Sequence, residues 1–132
     1  VGGPTVAAAA WAARAAGGAR YLPRAGAALG FAPWFLKEIL VSAWSVARRL
    51  LARDPGFAPA LAPWPLALRG EGARAAFMNA VTLTPGTLSA TLAGDALVVH
   101  ALDGADSLRP ALEPLEARVG RLYGETPTGQ RR

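Results

Sequence analysis

Four prolines and a glycine fall within the eleven residues "PGFAPALAPWP", Pro55 to Pro65. Proline lacks an amide donor and its ring clashes with the preceding helical turn, so neither a helix nor a central strand runs through such a stretch. The run cuts the chain in two. Before it lie two apolar segments, and after it strand and helix signals alternate.

Composition separates the halves further. A chain of 132 residues has the length of about one domain. It is 52% hydrophobic and only 17% charged, with a mean hydropathy of +0.25, and its alanine is concentrated before residue 53. That is too apolar for an ordinary small soluble domain and implies membrane association. The net charge of +5 suits nucleic acid or the basic flanks of membrane segments. With no cysteine, disulfides and thiolate metal sites are excluded.

The segment from Val1 to Gly18 has an apolar run before Arg14 that is shorter than the ~20 residues needed to cross a bilayer. It is either the end of a spanning helix that begins upstream or an alanine-rich surface helix. A secretory signal fits poorly, because its arginines follow the apolar run. With the loop carrying Arg14, Arg20 and Arg24, this part covers residues 1–24.

Residues 25–54 hold a stronger helical pattern, from Leu29 to Arg53. At about 100° per residue, Glu38, Ser42, Ser45, Arg49 and Arg53 share one narrow face, with Lys37 and Arg48 beside it. Leu36, Ile39, Leu40, Ala43, Trp44, Val46, Ala47, Leu50 and Leu51 cover the rest. Arginines flank both ends, which favours both ends on the cytoplasmic side, and a helix with its ends on one side does not span. The favoured reading is an interfacial helix on the membrane surface or against partner helices, with Trp34 and Trp44 at headgroup depth and Arg48, Arg49 and Arg53 at the membrane surface. The alternative is a spanning helix that buries Lys37 and Glu38 as a pair.

Residues 55–124 read as a small α/β domain in the order β-α-β-β-α. Ala60 to Leu68 is a strand that Pro63 and Pro65 confine to an edge. A helix starts at about Glu71, with Ala75, Met78 and Val81 or Thr82 along one side. Thr87 to Leu92 and Ala96 to Leu102 form a hairpin around Ala93-Gly94-Asp95. The closing helix repeats Leu108, Leu112, Leu115, Val119 and Leu122 at helical spacing, capped by Asp106 or Ser107. Pro110 and Pro114 suggest that its regular part begins later. Residues 125–132 read as a polar tail.

No residue set in this domain has the pattern of a catalytic site, a cofactor site or a metal site. His100 is the only histidine, which excludes a multi-histidine site; it stands on one sheet face near Asp103. Asp95, Asp103 and Asp106 fit turns and caps. The glycines of "RGEGAR" precede a helix that could hold an anion, without the lysine of a phosphate-binding loop. Arg48, Arg49, Arg53, Arg69 and Arg74 read as a basic belt suited to lipid headgroups over nucleic acid. In "NAVTLTPGTLSA", Pro85 stops a helix, Gly86 supplies the positive φ of a type II turn, and Thr82, Thr84 and Thr87 bond free backbone groups.

Three stretches together, "WFLKEILVSAWSV", "NAVTLTPGTLSA" from Asn79 and "LVVHALD" with His100 and Asp103, resemble the MrpE/MnhE family. Its members are components of the Mrp-type (Mnh-type) multisubunit cation/proton antiporters, and membrane-bound hydrogenase complexes contain related ones. The likeness runs from about Leu22 to Tyr123. It implies a membrane-associated helical part followed by a cytoplasmic α/β domain, in a cell-membrane complex of bacteria or archaea that exchanges Na+ or another monovalent cation for protons. It further implies an accessory, non-enzymatic role without cofactor, with the other subunits and the bilayer as partners. Lys37 and Glu38 belong to the family pattern on the helix, and Glu38 is expected to pack against a neighbour or face headgroups instead of carrying protons. Family members bear an apolar hairpin at the N-terminus to which only Val1 to about Ala16 could correspond, so upstream sequence is expected or the first helix is absent. The competing reading is a peripheral membrane-binding module.

Overall fold

A computed structural model of the chain describes residues 23–52 and 56–125. The first described helix, α1, covers Ala25–Leu50 and passes through Pro33. After the proline run come β1 (Ala60–Pro65), α2 (Glu71–Leu83), β2 (Thr87–Ala93), β3 (Ala96–Ala101), a 3-10 turn (Ala105–Ser107) and α3 (Leu108–Tyr123). This is the β-α-β-β-α order expected from the sequence.

Strand β3 is central, with β1 and β2 antiparallel on its two sides. Proline in β1 is tolerated because β1 is an edge. Side chains on β3 alternate: Leu97, Val99 and Ala101 are buried, while Ala96, Val98 and His100 point to the opposite face. The buried row meets Trp64, Ala62 and Ala60 of β1 in register. In β2 the pairing shifts between Ser89 and Thr91, so Ala90 is the extra residue of a bulge. Gly94 (φ +60°) takes the first central position of the hairpin turn, where a positive φ lets the turn follow the strand twist.

Helices α2 and α3 cover the buried face. From α3 come Leu108, Leu112, Leu115, Val119 and Leu122, all buried as their spacing predicts. On α2 the expected side is corrected in part, since Met78 packs against the core and Val81 is buried. Ala73, Phe77, Ala80 and Val81 are buried, whereas Ala75 and Thr82 are exposed. Phe77 is the largest wholly buried side chain and sets the rotation of α2.

Helix α3 also starts earlier than its prolines suggest. Pro110 lies in the first turn, where amide groups have no intrahelical partner, and Pro114 sits on an exposed position. Ser107 precedes the helix but makes no side-chain cap; its hydroxyl donates to Gly104 O at 2.7 Å. At the other end Gly124 (φ +73°) closes α3 with a Schellman motif, Glu125 N–H donating to Gly120 O and Gly124 N–H to Arg121 O.

Two carboxylates on the α3 side lock the domain. Glu125 accepts the N–H groups of Arg69 and Gly70 at 2.9 Å each, at the start of α2. The anion position expected at "RGEGAR" is thus filled by the chain's own carboxylate. Glu116 is buried and accepts Trp64 Nε1–H at 3.1 Å and Ala67 N–H at 2.6 Å.

At the turn from α2 into β2 Gly86 has the expected positive φ, while Thr82 bonds a carbonyl inside the helix and not one left free at its end. Thr84 donates to Ala80 O, Thr82 to Met78 O, and Thr87 to both Val81 O and Thr84 O. Thr87 N–H closes the turn on Thr84 O, with Gly86 at φ +93°. Replacing Gly86 by alanine is expected to cost about 1–2 kcal/mol of folding stability, because a Cβ disfavours that backbone region. A chemical denaturation midpoint equal to that of the parent chain would refute this reading of the turn.

Candidate functional site

Helix α1 carries the distinctive surface. Its 26 residues give a rod about 39 Å long. Lys37, Glu38 and the two serines interrupt its apolar sequence, and among the described residues no helix is long and apolar enough to cross a membrane. Phe31, Trp34 and Phe35 pack against the core cluster, and Phe31 stacks on Phe35 at 5.3 Å between ring centroids. The guanidinium of Arg118 on α3 lies 4.1 Å from the Trp34 ring centroid, a cation–π contact.

Beyond these aromatics the seam between α1 and the domain is polar. A cavity of about 260 Å³ is lined by Trp34, Glu38, Ser42, Thr84, Pro114 and Arg118, among others. A second, of about 160 Å³, reaches Ser45, Thr87, Asp103 and Ser107. At its far end Arg49 pairs with Asp103. Both groups are partly exposed, and such a pair contributes about 0–1 kcal/mol.

The narrow polar stripe of α1, together with Phe31, Trp34, Phe35 and Val46, therefore faces the domain, and the outer side carries exposed apolar residues alongside Lys37 and Arg48. Leu36, Leu40, Val41 and Trp44 are exposed, with Trp44 at 72% and Leu40 at 61%, and Leu29, Leu50 and Leu51 extend the face at both ends. Covering the four central side chains is worth on the order of 5 kcal/mol. A face of this kind marks an interaction surface.

This geometry corrects several expectations. Trp34 is turned into the seam and does not sit with Trp44 on the outer face. Its spacing places it on the aromatic side with Phe31 and Phe35, which meets the core first. Of the basic belt, Arg49 is engaged by Asp103, and Arg74 by Asp95 and Leu68 O. Arg48 and Arg69 are exposed on separate elements, and Arg53 lies outside the described residues. So do the proposed first helix with most of the 1–24 segment, and residues 126–132.

The remaining motif residues disperse. Lys37 is exposed and Glu38 half-buried, adjacent on α1. Asn79 is exposed on α2. His100 stands on the face of the sheet that α2 and α3 leave open, opposite Leu61 and Leu88, while Asp103 turns to Arg49. Among the described residues no three carboxylate or imidazole groups gather in a metal-binding arrangement. Burial raises the Tyr123 phenol above its ordinary range.

Reading the sequence missed Glu116 and Arg118. Glu116 was visible as a carboxylate one residue after Leu115 and three before Val119, on the apolar side of α3. Arg118 carried no local signal, since its partner Trp34 is remote in sequence.

The fold and this surface define a class: a small two-layer α/β domain fastened to one side of a long helix, whose other side carries exposed apolar residues. Residues 1–122 match the family model MNHE (Na+/H+ ion antiporter subunit), and the chain belongs to that family. Among solved structures it is similar to a chain of the archaeal membrane-bound sulfane sulfur reductase, a respiratory membrane complex. There the TM-score is 0.67 at 26% identity over 76% of this chain. The chain spans 65% of the length of that relative. It is also similar to a chain of the Mrp complex from Dietzia sp. DQ12-45-1b, with a TM-score of 0.53 and 26% identity, covering 70% of this chain and 92% of that one. No curated protein matches it.

Proposed function

We propose that the chain is an accessory, non-catalytic subunit of a multisubunit monovalent cation (Na+)/proton antiporter in the cell membrane, supporting assembly and activity. The observation that carries this reading is the inverted packing of α1. The domain takes up the polar stripe with Phe31, Trp34 and Phe35, and the outer side, where Leu36, Leu40, Val41 and Trp44 are exposed, is left for neighbouring subunits and bilayer. Family membership supports the antiporter assignment. The α/β domain is assigned to the cytoplasmic side on the arginine distribution around α1.

The likeness to the sulfane sulfur reductase chain supports a second reading, the corresponding component of a respiratory membrane complex. Affinity purification of the full chain after detergent extraction of its native membranes separates the two by the subunits it brings down. A chain released alone by salt would contradict both. The accessory role has its own test. Glu38→Gln is expected to leave proton-coupled transport unchanged, because the carboxylate lines the seam beside Ser42 and Arg118. Loss of transport in a fully assembled complex would overturn that role.

A further inference from the structure

Beside the Trp34 contact, the N-terminal half of α1 and the C-terminal half of α3 leave a groove of about 300 Å³ lined by Ala27, Gly30, Phe31, Arg118, Arg121 and Leu122. Its floor is apolar and its rim carries two guanidinium groups. We propose that this groove binds one anionic phospholipid, its phosphate held between Arg118 and Arg121 and an acyl chain laid along Ala27, Gly30 and Phe31. The proposal rests on the membrane-complex reading above.

Three observations support an amphiphile over a free anion. First, the ion pairs among the described residues use Arg49, Arg74 and Arg109, and neither Arg118 nor Arg121 takes part in one. Glu38 lines the cavity on the other side of Arg118 without pairing with it. Glu116 is committed to Trp64 and Ala67, and Glu125 to Arg69 and Gly70. A third guanidinium, that of Arg24, lies where a Cβ on Gly124 would stand and adds positive charge at the same end of α3. It offsets the negative C-terminal dipole, as Arg121 in the last turn also does.

Second, the floor has been left open. A Cβ at Gly30 would have nothing within 4 Å, so the groove is open along this side of α1. Third, Phe31 and Leu122 give the groove apolar walls beside the two guanidinium groups. A free phosphate would leave both apolar features uncovered. A phospholipid matches cationic rim and apolar floor together.

Native mass spectrometry of the full chain, carried in a nonionic detergent and mixed with phosphatidylglycerol, phosphatidylcholine or inorganic phosphate, tests this. The expected result is one retained phosphatidylglycerol per chain, with much weaker retention of phosphatidylcholine and no phosphate adduct. The double variant Arg118→Gln with Arg121→Gln is expected to weaken phosphatidylglycerol binding about thirtyfold, at roughly 1 kcal/mol for each charge removed. Replacing both by lysine should restore most of it. Gly30→Leu should also abolish the adduct by filling the trough, and it keeps the helix intact. Equal retention of the two lipids, a phosphate adduct alone, or an equal loss in the distant Arg48→Gln variant would overturn the site. A chain that joins the antiporter subunits yet retains no lipid would refute this inference alone. One that retains lipid but joins no complex would refute the functional reading instead.

Discussion

Replacing Glu116 by alanine is expected to destabilise the α/β domain by about 3 kcal/mol. The carboxylate is 5% exposed and accepts two N–H groups, the Trp64 indole at 3.1 Å and the Ala67 amide at 2.6 Å. Hydrogen bonds to a charged acceptor each contribute about 1.5–3 kcal/mol, and removing the acceptor leaves both donors without a partner in a confined space. Small domains are stable by only about 5–15 kcal/mol, so the loss is a large share of the total. Glu116→Gln should lose less, about 1–2 kcal/mol, since the amide oxygen still serves one donor while its NH2 opposes the other. Urea unfolding followed by circular dichroism measures both. A change under about 0.5 kcal/mol for the alanine variant would show that Glu116 does not tie α3 to the strand β1.

The second large effect falls on association. Changing Leu40 and Trp44 together to glutamate should abolish recovery of the chain with its complex while leaving the unfolding curve of the isolated chain unchanged. Both side chains point away from the domain, at 61% and 72% exposure, so the substitutions remove no internal packing. Burying either charge against lipid or an apolar partner would cost several kcal/mol. Pull-down with the other subunits reads the outcome. Undiminished recovery would mean that the apolar face of α1 is not the surface covered in the complex.

Much of this architecture was legible in the chain because its signals are local. Pro63 and Pro65 marked an edge strand, Gly94 a hairpin, and the leucine spacing of α3 one buried face. The corner at Thr84 to Thr87 was also readable, since each threonine bonds within seven positions of itself. Helix α2 was harder. Five of its 13 residues are Ala or Gly, which blurs the periodicity, and its rotation is decided by where Phe77 finds room beneath the sheet.

The candidate surface was half legible. Periodicity separated the polar stripe of α1 from its apolar face, but it does not tell which side the rest of the chain will take. In a soluble domain the apolar side turns inward. Here Glu38, Ser42, Ser45 and Arg49 turn inward beside Phe31, Trp34 and Phe35, and the decision rests on remote partners: Asp103 for Arg49, Arg118 for Trp34. The arginine belt failed for the same reason. Arg74 and Arg49 are paired by aspartates 21 and 54 positions away, and sequence spacing alone does not reveal such pairings.

The central claim is that α1 holds the domain by Phe31, Trp34, Phe35 and its polar stripe, and gives its exposed outer apolar residues to the complex. The chain contains no cysteine, so single cysteines can be placed at Leu36, Leu40 and Trp44 on one face and at Ser42 and Ser45 on the other. Labelling with a water-soluble maleimide is then compared between isolated and assembled protein. The account predicts that the first three positions label freely in the isolated chain and become protected on assembly, while the two serine positions change little. Equal reactivity of positions 36, 40 and 44 in both states would contradict it.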